Sequence, residues 1–303
     1  MQAETIVYYD ANYTSVWIDH RKGYPQKIAN AFSKKEYRIL DANSLKTFMV
    51  EALENGTANQ KLVVFAQDVA PAPIVETISS QTTLREYLDA GGSALWIGDI
   101  PLYYRGVPAK DQTEEEIEKS RIEISKEGGP TAVLGVIPVY GTAKMSVSIT
   151  TLGRSMGLRS KWSGMRPIIQ DRGIKPLARS ESILCIHYID IERRKNIFRR
   201  FAERISGGIS VKALPIEFKL GTEAKQKEPP KGVPHAHETH VNAWVKNFNS
   251  YYPKSGFYRI WDYPPITLSE KMLNELIGIS ERIAFRIGNQ SQAFFISEVN
   301  RKT

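Results

Sequence analysis

The stretch LREYLDAGGSALWIGD, residues 84–99, joins two periodicities through a Gly-Gly pair. Leu84, Tyr87 and Leu88 recur at helical spacing, and Thr83 with Glu86 reads as a capping box ahead of them. After Gly91 and Gly92 the run Ala94-Leu95-Trp96-Ile97 is continuously apolar, the pattern of a strand covered on both faces. Asp99 then places a carboxylate where the chain has just left a core. A helix feeding directly into a doubly buried strand is the repeating unit of a parallel α/β sheet.

The same unit recurs toward the N-terminus. TIVYY (5–9), YRIL (37–40) and LVVFA (62–66) read as strands, the first and third continuously apolar. Pro25 suits the first turn of a helix carrying Ile28 and Phe32. Asn43 reads as the cap of a second helix with Leu45, Phe48, Met49, Ala52 and Leu53 on one face, stopped by Gly56. The order predicts an α/β fold: a flavodoxin-like, doubly wound, mainly parallel sheet with helices on both faces and C-terminal elaborations. Further on, PTAVLGVIPVYG (130–141) and SILCIHYIDI (182–191) read as strands, and 193–205 as an amphipathic helix. SGFYRIW (255–261) reads as a strand, and Thr267 with Glu270 as the cap of a final helix bearing Met272, Leu276 and Ile283. The glycine-rich ITTLGRSMGLRSKWSGMRPII (149–169) fits neither period. No repeat is present. We expect one elaborated domain over 1–303, with its core at 1–150 and 180–215 and a C-terminal strand and helix at 240–290. Insertions are expected at 105–130 and 215–240.

Composition bounds the function classes. With 303 residues, 42% hydrophobic and 24% charged, the chain can bury a large core as a soluble protein. No run approaches the ~18 apolar residues of a membrane span. The first residues enter a strand without a signal peptide, so a cytoplasmic location and no membrane partner are expected. One cysteine, Cys185, excludes an intrachain disulfide and any CxxC metal site, and reads as a buried structural thiol. The net charge of +8 is concentrated in 153–204, which holds 13 Lys/Arg against 5 Asp/Glu. Such a segment is either a solvated basic face or a surface for nucleic acid or an anionic ligand.

Three apolar strands end in aspartates, Asp10, Asp68 and Asp99. In a parallel sheet they share one rim, where ligands bind at the reversal of strand order, and Asp10 and Asp68 flank that reversal if their strands are neighbours. Carboxylates held close either raise a pKa or recruit Mg²⁺ or Mn²⁺, whereas single aspartates after strands cap helices and turns. The candidate ligand pocket comprises Asp10, Asn12, Asp68, Gly98 and Asp99, with Trp162 and Arg166 of RSKWSGMRP reaching toward it. A separate metal candidate is His235, His237 and His240 in HAHETH, within a polar loop at 221–240 that reads equally as a mobile surface segment. NFNSYYPKSGFYRIWDYPP (247–265) is dense in aromatics that either pack in a core or subunit interface, or stack on sugars or bases with help from Arg259.

IVYYDANYTSVW (6–17), LVVFAQDVAP (62–71) and LREYLDAGGSALWIGD together resemble the class I glutamine-amidotransferase-like superfamily, nearest its trehalose-utilisation-like branches, over about the first third of the chain. The resemblance implies a flavodoxin-like sheet. It does not carry over the chemistry, because that superfamily uses a cysteine on a glycine-flanked elbow with a His-x-Glu partner. Here the matching strand end is Gly98-Asp99, Cys185 lacks elbow glycines, and no His-x-Glu occurs. Asp10-Ala11-Asn12 also resembles the opening of PIN-type nucleases, with Asp68 and Asp99 as further acids. Three readings follow. The first is a non-catalytic or accessory small-molecule-binding domain, which can self-associate. The second is a divalent-metal hydrolase acting on a phosphate or sugar through Asp10, Asp68 and Asp99. The third is a nucleic-acid-associated protein using 153–204.

Overall fold

A computed structural model describes residues 2–15, 23–111, 113–139, 145–164, 166–171, 173–180, 240–262 and 268–299. Its main sheet has ten strands. Five of them, β1 (Glu4–Tyr8), β2 (Arg38–Leu40), β3 (Lys61–Phe65), β5 (Ser93–Ile97) and β13 (Phe257–Ile260), run parallel in the order β2-β1-β3-β5-β13. Beyond β13 the sheet turns antiparallel through β12 (His240–Lys246), β11 (Ile174–Ser180), β8 (Met145–Ile149) and β9 (Ser163–Gly164). The short β10 (Ile168–Ile169) also pairs with β12.

Helices cover both faces of the parallel half. On one face lie α2 (Ala42–Glu54) and α3 (Thr83–Asp89), packing Leu45, Phe48, Met49, Leu84 and Tyr87 against Tyr8, Phe65 and Trp96. On the other lie α1 (Tyr24–Ser33) and the long α6 (Glu270–Val299), whose Ile28, Phe32, Leu276 and Ile283 meet Val7, Val64, Leu95 and Ile260. The alternation along each strand explains this division, since successive side chains point to opposite faces and both faces are apolar. A second, three-stranded sheet comprises β4 (Ala70–Pro71), β6 (Tyr104–Gly106) and β7 (Arg121–Glu123), with α4 (Glu114–Lys119) between β6 and β7 in the chain. The short α5 (Thr151–Ser155) follows β8. No described helix is long and apolar enough to cross a membrane.

Local chemistry refines several sequence expectations. The cap of α3 is Thr82, whose hydroxyl accepts from Arg85 N at 3.1 Å, while Thr83 donates to Glu76 Oε1 at 2.6 Å. Asp41, not Asn43, caps α2 by accepting from Ser44 N at 2.7 Å. The two glycines ending α3 have different causes. Gly91 adopts φ +90°, and Gly92 lies beneath the Tyr87 ring, 2.4 Å from where a Cβ would stand. PTAVLGVIPVYG does not form a strand: Pro130–Leu134 is a single π turn ended by left-handed Gly135, and only Pro138 bridges to Ile168. Conversely, β12 and most of β11 went unread, because HVNAWVK follows a polar loop and β11 begins in a Gly-Ile-Lys-Pro sequence. The expected strand at 182–191, with Cys185, and the expected helix at 193–205 lie outside the described residues.

Trp96 ties this core together, its ring centroid 5.1 Å from Phe65 and 6.0 Å from Phe257, across the β3-β5-β13 seam. Its indole N–H donates to Asp99 O at 3.0 Å. Trp96→Ala is expected to cost about 3–5 kcal/mol of unfolding free energy, and Trp96→Phe only about 1 kcal/mol for the lost hydrogen bond. Urea denaturation of both variants against the parent measures the difference.

Candidate functional site

Three parallel strands end in aspartates that meet. Asp68 sits in the bend after β3, Asp99 follows β5 through Gly98, and Asp262 follows β13 through Trp261; all are at most 3% exposed. Two arginines join them, Arg259 within β13 and Arg166 between β9 and β10.

Arg259 is fully buried and donates only to carbonyls: Nε and Nη2 to Gly98 O at 3.3 and 3.1 Å, Nη1 to Arg166 O at 2.6 Å, and Nη2 to Asp262 O at 3.4 Å. Its guanidinium thus pins the ends of β5 and β13 to the 164–168 segment. Burial lowers its pKa, and Asp262, Asp99 and Asp68 oppose that shift. Asp262 accepts from Trp162 Nε1 at 2.7 Å, Arg166 N at 3.0 Å and Asn242 Nδ2 at 2.7 Å. That satisfies a buried charge with three donors from two segments, 162–166 and β12.

Asp99 is held differently. Its Oδ1 accepts from Ile100 N at 2.7 Å and lies 4.0 Å from Arg166 Nε, while its own N–H lies 3.4 Å from Asp68 Oδ2. The approach of Asp68 requires a glycine at 98. The backbone there has φ +105°, and a Cβ would stand 2.9 Å from Asp68 Oδ2. Burial first, and the Asp68 charge second, push the Asp99 carboxyl up to about 8; the Ile100 amide, Arg166 and Arg259 pull the other way without prevailing.

Backbone strain gathers at the same place. Leu102 adopts φ +63° at the third position of a Pro101 turn closed by Tyr103 N to Ile100 O at 3.1 Å, a position that favours glycine. Trp261 adopts φ +49°, and its carbonyl accepts from Gly98 N at 3.2 Å. Bulky residues in the left-handed region cost of order 1–3 kcal/mol and persist where the surroundings over-determine them.

The remaining sequence candidates divide. β1 and β3 are neighbours, so Asp10 and Asp68 do flank the reversal of strand order. The Gln67 side chain fills that crevice, accepting from Asp10 N at 2.8 Å and donating to Asp10 O at 3.0 Å and Tyr13 O at 2.8 Å. Asp10 is a turn and capping residue: its carboxylate accepts from Asn12 N at 2.9 Å and Ala42 N at 3.1 Å. Asn12 is exposed, and its carbonyl accepts from Ala109 N at 2.7 Å. Among the described residues no group of three His, Cys, Asp or Glu could hold a metal ion, so Asp10, Asp68 and Asp99 do not assemble the expected cation site. His240 is not in a loop but opens β12, 3% exposed and paired with Ile169, whereas His235 and His237 lie outside the described residues. Trp162 and Arg166 do reach the rim, Trp162 as a buried wall at 6% exposure. Of the aromatic segment, Phe257, Tyr258 and Trp261 are core at 3% exposure or less, Phe248 and Tyr252 are half-buried, Tyr251 is exposed, and Tyr263 lies outside the described residues. In the described part of the basic segment, Arg159 donates to Leu158 O at 2.8 Å and Arg179 to Gln170 Oε1 at 2.9 Å; residues 181–204 lie outside it. Asp262, Asn242 and the site role of Arg259 were missed, although RIWD repeats the apolar-run-then-aspartate grammar of ALWIGD.

The profile of the MJECL34 family matches residues 3–224, well over half of the chain. The chain belongs to the MJECL34 family. A relative from Methanocaldococcus jannaschii, "Uncharacterized protein MJECL34", is 29% identical over 164 residues, which cover 53% of this chain and 50% of the relative. The chain thus spans about half the length of the curated relative it matches. No solved structure matches. Within this MJECL34-family chain Asp68, Asp99, Trp162 and Arg166 fall inside the family match, and Arg259 and Asp262 beyond it.

Asp99 gives the family member a pH-dependent stability. Its folded pKa of about 8 exceeds the ordinary 3.8, so the folded chain holds a proton that the unfolded chain releases between those values. The Asp99 contribution to stability is therefore fully favourable below about pH 4 and declines as pH rises toward about 8. Asp99→Asn removes this decline: relative to the parent, the variant is expected to gain stability on going from about pH 5 to about pH 9, by on the order of a few kcal/mol. Urea unfolding of both proteins at the two pH values provides the measurement; parallel pH profiles would refute a protonated Asp99.

Proposed function

We propose that this MJECL34-family chain is a small-molecule-binding α/β domain of the glutamine-amidotransferase-like, flavodoxin-like type. It lacks a catalytic nucleophile and takes its ligand at the carboxyl rim of β3, β5 and β13. The observation that carries the reading is the convergence of three buried carboxylates, two arginines and two left-handed bulky residues on that rim. Buried charge and backbone strain are both expensive, and in α/β proteins they collect where ligands are held. The parallel order β2-β1-β3-β5-β13, with helices on either face, supports the flavodoxin-like part of the reading. Gly98-Asp99 occupies the strand end at which the resembling superfamily carries its cysteine elbow, which favours binding over glutamine hydrolysis. The ligand site lies beside the plugged β1/β3 crevice rather than in it. A cytoplasmic location is part of this proposal.

The test is hydrogen–deuterium exchange of the full chain against pools of nucleotides, sugar phosphates, amino acids and organic acids. A ligand is expected to protect residues 98–104 and 162–168, and Arg166→Gln to weaken its binding by about tenfold. Failure of every pool to protect those segments would end the reading.

A further inference from the structure

A second site lies at the opposite end of the sheet. Beneath α6, the start of β11, the end of β12 and the loop leading into β13 line a solvent-open cleft. Its floor is apolar, formed by Leu177, Val245 and Tyr258, and three cations stand around it: Lys175, Lys254 and Arg286. No carboxylate lines it among the described residues. Several other described cations are met by acids, as Arg38 and Lys61 by Glu4, Lys46 by Glu76, and Arg85 by Asp89. Arg286 instead donates to the Met156 thioether, Nη1 to Sδ at 2.8 Å, a weak acceptor for a full charge.

The backbone that carries two of the cations is tied down. Lys254 N is bonded to Gln290 Oε1, and Gln290 stands one helical turn beyond Arg286, on the same face of α6. Gln290 Nε2 also donates to Ser255 Oγ at 3.3 Å, and Asn247 Nδ2 clamps the loop through Tyr252 O at 2.7 Å and Ser255 O at 2.8 Å. The loop that carries Lys254 is thus fixed to the helix that carries Arg286. Three like charges lining one apolar floor repel each other, and an anion seated between them removes that repulsion.

We infer that this cleft is a binding site for a small amphipathic anion, a carboxylate or phosphate head group on an apolar body, with Arg286, Lys254 and Lys175 on the head and Leu177, Val245 and Tyr258 against the body. The site is independent of the rim and of the function proposed for it. Arg286 supplies the two-pronged contact that suits either head group, and the lysines supply point charges. Tyr258 offers its ring as floor, since its hydroxyl is bonded to Lys254 O.

The experiment uses amide NMR of the full chain with four probes: hexanoate, hexyl phosphate, inorganic phosphate as a head alone and 1-hexanol as a tail alone. Hexanoate or hexyl phosphate is expected to shift Asn247, Lys254 and Gly256 saturably. Each isolated half should bind about tenfold more weakly or not at all. Arg286→Gln is expected to weaken binding about tenfold, and Lys175→Gln, at an exposed position that leaves the fold unchanged, by about threefold. Absence of saturable shifts with both amphipathic probes overturns the inference. So does unchanged affinity in both variants, or inorganic phosphate binding as well as hexyl phosphate. Shifts centred on Gly98 and Trp162 also overturn it, and in that case the rim reading is supported instead.

Discussion

One guanidinium holds the two halves of the sheet in register at their common end. Arg259 lies inside β13, the strand that is parallel to β5 and antiparallel to β12, and its guanidinium donates to main-chain carbonyls. Carbonyl dipoles stabilise a buried cation without requiring the paired carboxylate that water would otherwise compete for. The carboxylates around it are thereby left to other tasks: Asp262 gathers Trp162, Asn242 and the Arg166 amide, and Asp99 turns the chain toward Leu102. Removing this one side chain would leave three carbonyls, of Gly98, Arg166 and Asp262, without this donor at a fully buried position.

The arrangement balances by formal count only when a proton is included. Three carboxylates, Asp68, Asp99 and Asp262, face two guanidiniums, Arg166 and Arg259. Asp99 has the Asp68 carboxylate against its own N–H, and it is the one that burial and that charge push up. The proton thus sits on Asp99. The same logic explains why Asp10 has no part in the cluster. Two backbone amides satisfy it outright, and Gln67 fills the space through which it would otherwise face Asp68.

How much was legible follows from where the information is local. The parallel half could be read because each strand is a run of apolar residues punctuated by a helix with its own caps and stops, and errors there amount to a residue at Thr82 or two at Asp41. The α/β class and the rim position of Asp68, Asp99, Trp162 and Arg166 were likewise accessible from pattern. The antiparallel half was not, because β8, β9 and β10 are short, β11 carries a proline, and β12 owes its burial to neighbours far away in sequence. Arg259 was hidden for a different reason. An arginine between aromatics reads as exposed, and its burial depends on carbonyls at residues 98 and 166 that no local window contains. The metal expectation failed on the same ground: three aspartates at strand ends are equivalent in sequence, and only their amide partners separate them.

The position of β13 has a consequence for how the chain must assemble. β5 is complete by residue 97, yet its partner in the sheet is not made until residues 257–260, some 160 positions later. Until then β5 presents an unpaired, wholly apolar edge, the kind of surface that templates association between chains. During synthesis at about 5–20 residues per second that edge waits on the order of ten seconds for its neighbour. The Gly-Gly entry and the aspartate exit bracket a strand whose hazard is temporal: β5 stays open to association until β13 has closed over it.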